Sequence, residues 1–394
     1  MLPSSEHGHA QRSTPVALDF QSTTPCAKEV VVAMEPWWRA QWGNPSSRQH
    51  RLGLTAAAAV SDARDRLARC LGVQAQQLVF TSGATEANNL ALLGHARAMA
   101  DRHGRPGHLI SVSTEHHAVL DPLQQLRREG FRLTLLNPTN DGLLDVGQLE
   151  DALQPDTMLV SVMAANNEIG VLQPLEQIGR LCRQNNVSLH SDAAQAFGHI
   201  PFNPNSLHLD LASISGHKIY GPKGIGALVL REDIALQPLQ FGGRQEQGLR
   251  PGTLPVPLIV GLARAAELAM EHQQSASQQL ERLRDHLWLG LQTALPGLSM
   301  NGAHSPRLPH NLNITIADVN GNQLQQRLRS TLQCSSGSAC SAGKPSHVLQ
   351  AIGRSREEAN ASLRLSLGRT TTANDIERAI ATLSEVVQDL RSGG

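Results

Sequence analysis

From about residue 16 to residue 231 the chain alternates short apolar runs with longer amphipathic stretches. The runs Gln77–Thr81, His108–Ser113, Phe131–Leu136, Thr157–Ala164, Val187–Ser191, Leu209–Ser213 and Gly226–Leu230 have the length and aliphatic content of strands. Between them, Thr85–Arg102, Ala118–Glu129 and Leu175–Asn185 repeat their apolar residues at helical spacing. This alternation predicts an α/β domain built on a largely parallel sheet, which binds ligands at the carboxyl ends of its strands. A Gly- and Gln-rich loop, 241–253, interrupts the pattern, and a long helix is predicted over Val256–Ala294. The runs Asn311–Ile316, Gly321–Ser330, Ser362–Leu367 and Ala373–Arg391 predict a small α+β unit. The expected division is a large domain over 16–260 and a small one formed by 1–15 and 261–394.

Aromatic residues make up only 3% of the chain, so Leu, Val, Ile and Ala must fill the core. Net charge is zero and no Lys/Arg block occurs, which argues against direct nucleic-acid binding or a membrane-facing surface. No apolar run reaches the roughly 18–20 residues of a membrane-spanning helix. The first residues lack the apolar centre of a signal peptide, so a cytoplasmic protein is expected. The five cysteines, Cys26, Cys70, Cys182, Cys334 and Cys340, are odd in number and irregularly spaced, which disfavours a disulfide framework. Cys334 and Cys340 match no common zinc spacing, and no metal site is expected.

Basic residues change the picture more. Of 34, only Lys28, Lys218, Lys223 and Lys344 are lysines. Arginine stays charged at any usable pH, whereas a lysine can lose its proton and form a Schiff base. Lys218 and Lys223 share the segment 215–224 with Tyr220, the one tyrosine in the chain.

Five predicted strand ends carry polar groups. Thr81-Ser82-Gly83-Ala84-Thr85-Glu86 opens a helix, where free N–H groups form an anion site or Ser82 or Thr85 simply caps the turn. Asp192-Ala-Ala-Gln195 places a carboxylate that needs a cation or donor, or caps a helix. Lys218 follows Leu209–Ser213, with Ser215 and His217 beside it. Asn166-Asn167-Glu168 follows the fourth run and Thr114-Glu115-His116 the second; His116 suits ring stacking, proton transfer or a helix start. Pyridoxal 5′-phosphate (PLP), with an aldehyde, a pyridine nitrogen, a ring face and a phosphate, fits all five. Outside this set, Ser335-Ser-Gly-Ser-Ala-Cys340-Ser-Ala-Gly-Lys344 places a thiol in a small-residue loop, as a mobile nucleophile or an incidental cysteine. Arg364 alternates with apolar residues on a predicted strand, as a carboxylate clamp or a surface arginine.

The segments TSGATEANNLAL, TEHHAV, NNEIGV, SDAAQAFG, SGHKIYGPKGIGAL, RPGTLP, SSGSAC and SLRLSLGR stand in the order found in cysteine desulfurases. The chain resembles that family from about Leu18 to its end, and SSGSAC resembles the group that includes NifS and IscS. The resemblance implies the PLP-dependent transferase fold type I, with a mainly parallel seven-stranded sheet in the large domain. It implies Lys218 as the Schiff-base lysine, Asp192 as the partner of the pyridinium, and Gln195 and Asn167 as partners of the ring hydroxyl. His116 resembles the ring-stacking, proton-handling histidine. Ala84, Thr85, Ser215 and His217 match the phosphate cradle, and Thr253 a residue reaching the phosphate of a second subunit, hence a homodimer. Arg364, with Asn167, matches the substrate-carboxylate site, and Cys340 the sulfur-accepting nucleophile. The implied reaction takes L-cysteine to L-alanine and leaves a persulfide on Cys340, for iron–sulfur scaffold proteins or tRNA thiolation. Selenocysteine lyase or cystine C–S lyase is the alternative on the same scaffold. The stretch between Cys340 and Pro345-Ser-His-Val-Leu349 is shorter than the family pattern, and Cys334 is no part of the motif.

Overall fold

The computed structural model describes residues 14–336 and 345–393. Seven strands form the main sheet: β1 (Leu78–Thr81), β2 (His108–Val112), β3 (Arg132–Leu136), β4 (Thr157–Ser161), β5 (Ser188–Asp192), β6 (Leu211–Ser215) and β7 (Gly226–Leu230). Their order is β1-β7-β6-β5-β4-β2-β3, and only β7 runs antiparallel to its neighbours. Every residue of β1, β2, β4 and β6 is buried. Helices cover both faces of a mainly parallel sheet, so such strands read as unbroken apolar runs rather than alternating ones. Two strands end later than their apolar runs suggest. β5 closes on Asp192 and β6 on Ser215, so polar side chains occupy the last strand positions.

A second sheet is antiparallel, with β8 (Leu298–Met300) and β10 (Ser362–Ser366) flanking β9 (Asn311–Ile316). The helix Val256–Ala294 serves both sheets: Ile259, Leu262, Ala266 and Ala269 sit in the core around the main sheet, whereas Leu280, Leu287 and Leu291 pack with β9 and β10. The single helix expected from Thr85 to Arg102 is a helical run over 84–103 that widens into a π-turn at Leu90–Gly94. At Gly94 a Cβ would meet the Gln237 carbonyl oxygen at 2.7 Å. The run therefore passes another segment closer than any side chain allows.

Candidate active site

The carboxyl ends of the main-sheet strands open into a cavity of about 500 Å³. Ala84, Thr85, His116, Asn167, Asp192, Gln195, Ser215, His217, Lys218 and Arg364 all line it. Those ten positions come from six separate stretches of sequence. Thr253 is exposed and is not among the lining residues. Cys340 and Lys344 lie outside the described residues.

Beyond β1, Gly83 adopts φ +152° and leads directly into the helix at Ala84. A Cβ on Gly226 of β7 would meet Gly83 Cα at 2.7 Å, so glycine there lets this turn lie flat on the sheet. No side chain caps the Gly83 end of the helix; instead Glu86 accepts from Ser82 N at 2.5 Å and pairs with Arg250 at 2.9 Å. Ala84, Thr85 and Glu86 of this first turn line the cavity, the placement an anion site at a helix start requires.

Asp192 accepts from Asn88 Nδ2 at 2.7 Å and from Ala194 N at 2.9 Å, one bond to each carboxylate oxygen. Each oxygen keeps a lone pair for a donor in the cavity. Lys218 follows β6 in a short 3₁₀ turn, Gly216–Lys218. Its Nζ donates to the carbonyls of Gln21, at 2.5 Å, and Ser22, at 2.9 Å. The turn is braced by Tyr220, which takes φ +64° and receives the Arg369 N–H on its hydroxyl at 2.6 Å. The Arg369 guanidinium lies 4.4 Å above the same ring. Thr24 bonds both to the His217 carbonyl and to Tyr220 N.

His116 Nδ1 accepts from Ala118 N at 3.0 Å, which puts the proton of the neutral ring on Nε2. Burial pushes its pKa below the usual imidazole range, against the pull of Asp192. Burial, with Lys218 and Lys223 nearby, brings His217 down to about 4. Both rings are therefore neutral near pH 7.

Arg364 is not a surface residue: it is 2% exposed on β10. Its guanidinium donates to the Asn167 carbonyl at 2.8 Å, to Ser22 Oγ at 2.7 Å and to Asp19 at 3.0 Å. Arg364 Nε and Asn167 Oδ1 are buried without a hydrogen-bond partner among the described residues. Both residues line the cavity, and an unmatched donor and an unmatched acceptor at its wall suit a ligand carrying both kinds of group. Gln195 Nε2 donates to the Gln21 carbonyl at 3.1 Å rather than toward the cavity centre.

Sequence patterning did not single out Asn88 or the segment 19–24. Asn88 lies four residues after Ala84, on the helix face that meets β5, and that spacing was the available signal. Segment 19–24 has no periodic pattern at all; it matters through contacts nearly 200 residues away. Cys334 packs in the core behind β9 and β10, where burial raises its thiol pKa to about 12. A thiol held in that state is a poor nucleophile.

The Aminotransferase class-V family matches residues 16–379. A probable mitochondrial cysteine desulfurase of Dictyostelium discoideum is 41% identical, over 99% of this chain and 87% of that protein. Cysteine desulfurase IscS of Rickettsia prowazekii is 43% identical, over 96% of this chain and 92% of its own length. Among solved structures, a NifS-like protein superposes with a TM-score of 0.89 at 34% identity, covering 96% of this chain and all of that one. A structure described as SspA in complex with cysteine superposes with a TM-score of 0.79 at 38% identity, covering 89% and 98%.

Proposed function

The chain belongs to the class-V aminotransferase family, and on that premise we propose that it works as a PLP-dependent cysteine desulfurase taking L-cysteine to L-alanine. The observation that carries this reading is the convergence of Lys218, Asp192, His116, Asn167 and Arg364 on one cavity of suitable size. The buried, unpartnered Asn167 Oδ1 and Arg364 Nε supply the fit: a ring hydroxyl or amine can donate to the first, and a carboxylate can accept from the second. When bound, PLP supplies an aldehyde that condenses with amines and a ring that delocalises an electron pair from the substrate's Cα.

The side chains divide the remaining work. The N–H groups from Ala84 onward, with Thr85, Ser215 and His217, hold the phosphate. Asp192, oriented by Asn88, keeps a proton on the pyridine nitrogen. Neutral His116 offers its Nε2 proton to the ring side of the cavity. Lys218 Nζ is the point of covalent attachment and, when released, the base for the Cα proton; the carbonyls of Gln21 and Ser22 hold it in place. Arg364 and Asn167 hold the substrate carboxylate. The Cys340 thiolate then attacks the substrate sulfur. An S–S bond forms, the C–S bond breaks, and its electron pair stays with the carbon skeleton, which takes up one proton at Cβ, regains one at Cα and leaves as alanine.

Arg364→Ala is expected to weaken cysteine binding by roughly ten- to a hundredfold, since a charge-assisted hydrogen-bonded pair contributes about 1.5–3 kcal/mol. PLP absorbance should stay intact, because the guanidinium meets only one proposed ring partner, Asn167, and meets it at the backbone carbonyl rather than at Oδ1. A titration of the cofactor absorbance with cysteine checks this, and loss of the cofactor itself would make Arg364 a structural residue.

Two further parts complete the proposal. A homodimer is supported by exposed Val31, Val32, Trp38, Trp42 and Phe241, and by Thr253, which is exposed and does not line this chain's own cavity. A reducing cytoplasm is supported by Cys26, Cys70, Cys182 and Cys334, all of which are free thiols. Among the described residues no helix is long and apolar enough to cross a membrane. The physiological acceptor we propose is a protein such as an iron–sulfur scaffold. The whole reading is tested by adding L-cysteine to the PLP-loaded protein while alanine and Cys340 persulfide are measured together. Equal amounts in a single turnover support it; alanine without persulfide would support the lyase alternative.

A further inference from the structure

The turn Asn166–Glu168 joins four parts of the molecule. Asn166 Nδ2 donates to the carbonyl of Thr114, two residues before His116. The Asn167 carbonyl accepts from Arg364. The Glu168 carbonyl accepts from Asn311 Nδ2 at 2.9 Å and Asn313 Nδ2 at 3.1 Å, both on β9. The fourth link is the Glu168 side chain itself.

Glu168 is wholly buried, yet its carboxyl meets neither Lys nor Arg in a salt bridge among the described residues. Its Oε2 accepts from the hydroxyl of Ser346, which is itself buried. Ser346 Oγ in turn accepts from Leu349 N at 3.1 Å and so caps the helix His347–Ala351. The next residue, His347, bonds through Nε2 to the Glu115 carbonyl at 2.9 Å. Ser335, on the other side of residues 336–345, exchanges two backbone hydrogen bonds with Arg364, at 2.7 and 3.2 Å. The chain that leaves Arg364 at Ser335 therefore returns to the turn beside Asn167 at Ser346, and Cys340 lies between these two points.

We propose that the Glu168–Ser346 hydrogen bond anchors the chain that carries Cys340, making Glu168 a positioning residue for persulfide formation rather than for cysteine binding. This rests on the cysteine desulfurase reading above. Six residue steps separate Cys340 from Ser346, a reach of at most about 20 Å. Losing the anchor frees the chain at Ser346, and a nucleophile tethered from there is held less well for attack on the substrate sulfur. A buried carboxyl is a costly anchor, because burial favours its neutral form. Leu, of similar size, would fill the same space but could not hold a hydroxyl.

The test uses full-length, PLP-loaded protein in single turnovers, with Cys340 persulfide quantified by labelling and cysteine affinity read from the cofactor absorbance. Glu168→Ala and Ser346→Ala are each expected to slow persulfide formation about tenfold. The double variant should be no slower than either single one, because both remove the same bond. Cysteine affinity should remain within about twofold of wild type. Glu168→Gln keeps an acceptor oxygen and should restore the rate. Hydrogen exchange at the Leu349 amide, an independent readout, should quicken in both alanine variants and not in Glu168→Gln.

Three results would overturn the inference. Glu168→Ala at the wild-type rate removes it outright. Glu168→Gln as slow as Glu168→Ala assigns the effect to charge rather than to the hydroxyl contact. Cysteine affinity falling in step with the rate assigns Glu168 to the Asn167–Arg364 clamp. A wild-type protein that builds no persulfide sinks the proposed function, and this inference with it, whereas the first three outcomes leave that function standing.

Discussion

Lys218→Arg is expected to abolish turnover and to leave the protein without covalently held PLP. The guanidinium keeps the positive charge and much of the length, so the carbonyls of Gln21 and Ser22 can still accept hydrogen bonds from it. It cannot shed a proton near neutral pH, and both covalent attachment and removal of the Cα proton need an uncharged amine. The expected loss is therefore several orders of magnitude rather than a shift in cysteine affinity, at least the roughly 10²–10⁴-fold ascribed to general base catalysis alone. Borohydride reduction followed by peptide mapping gives the direct check. A label on Lys218 in wild type, absent in the variant, is the predicted outcome. A label on Lys223, which lines the same cavity from its exposed side, would reassign the attachment point.

Cys340→Ser is expected to separate the two halves of the reaction. Every side chain proposed to hold the cofactor and the substrate carboxylate lies elsewhere, so the variant should bind PLP and respond spectrally to L-cysteine as wild type does. A serine hydroxyl near pH 7 is far too weak an acid to attack sulfur without an activating base, so persulfide should fall below detection. Cys334→Ser should leave persulfide formation unchanged, since that thiol is partly buried, high in pKa and packed against the second core. Undiminished alanine production by Cys340→Ser in the presence of reductant would show that the sulfur leaves without this thiol.

Much of this architecture is legible in the sequence because its physics is local. Strands buried on both faces appear as apolar runs, and five of them end in polar residues that the core cannot tolerate without a purpose. That reasoning reaches Asp192, Lys218, His116 and Asn167. It places the ends of β5 and β6 too early, because Asp192 and Ser215 look like loop residues to any hydropathy pattern although both are buried. Arg364 stays ambiguous for the same reason. Alternation along β10 identifies a face, and only the fold shows that this face looks inward at Asp19 and Asn167. Contacts such as Asn88–Asp192 and Glu168–Ser346 span more than a hundred residues, and no single-sequence periodicity encodes them.

The pairing of Asp19 with Arg364 joins residues 345 positions apart. Synthesis proceeds from the amino terminus, and the two partners leave the ribosome at nearly opposite ends of that process. The side chains proposed to hold the cofactor within one chain all precede Gly226, as does the stretch from Gln21 to Thr24 behind Lys218. The carboxylate clamp must wait for β10 and for the chain that crosses back over the main sheet. The residues proposed to grip the vitamin therefore leave the ribosome before Arg364, which is proposed to grip the amino acid. Sulfur chemistry is withheld until the last quarter of the message has been translated.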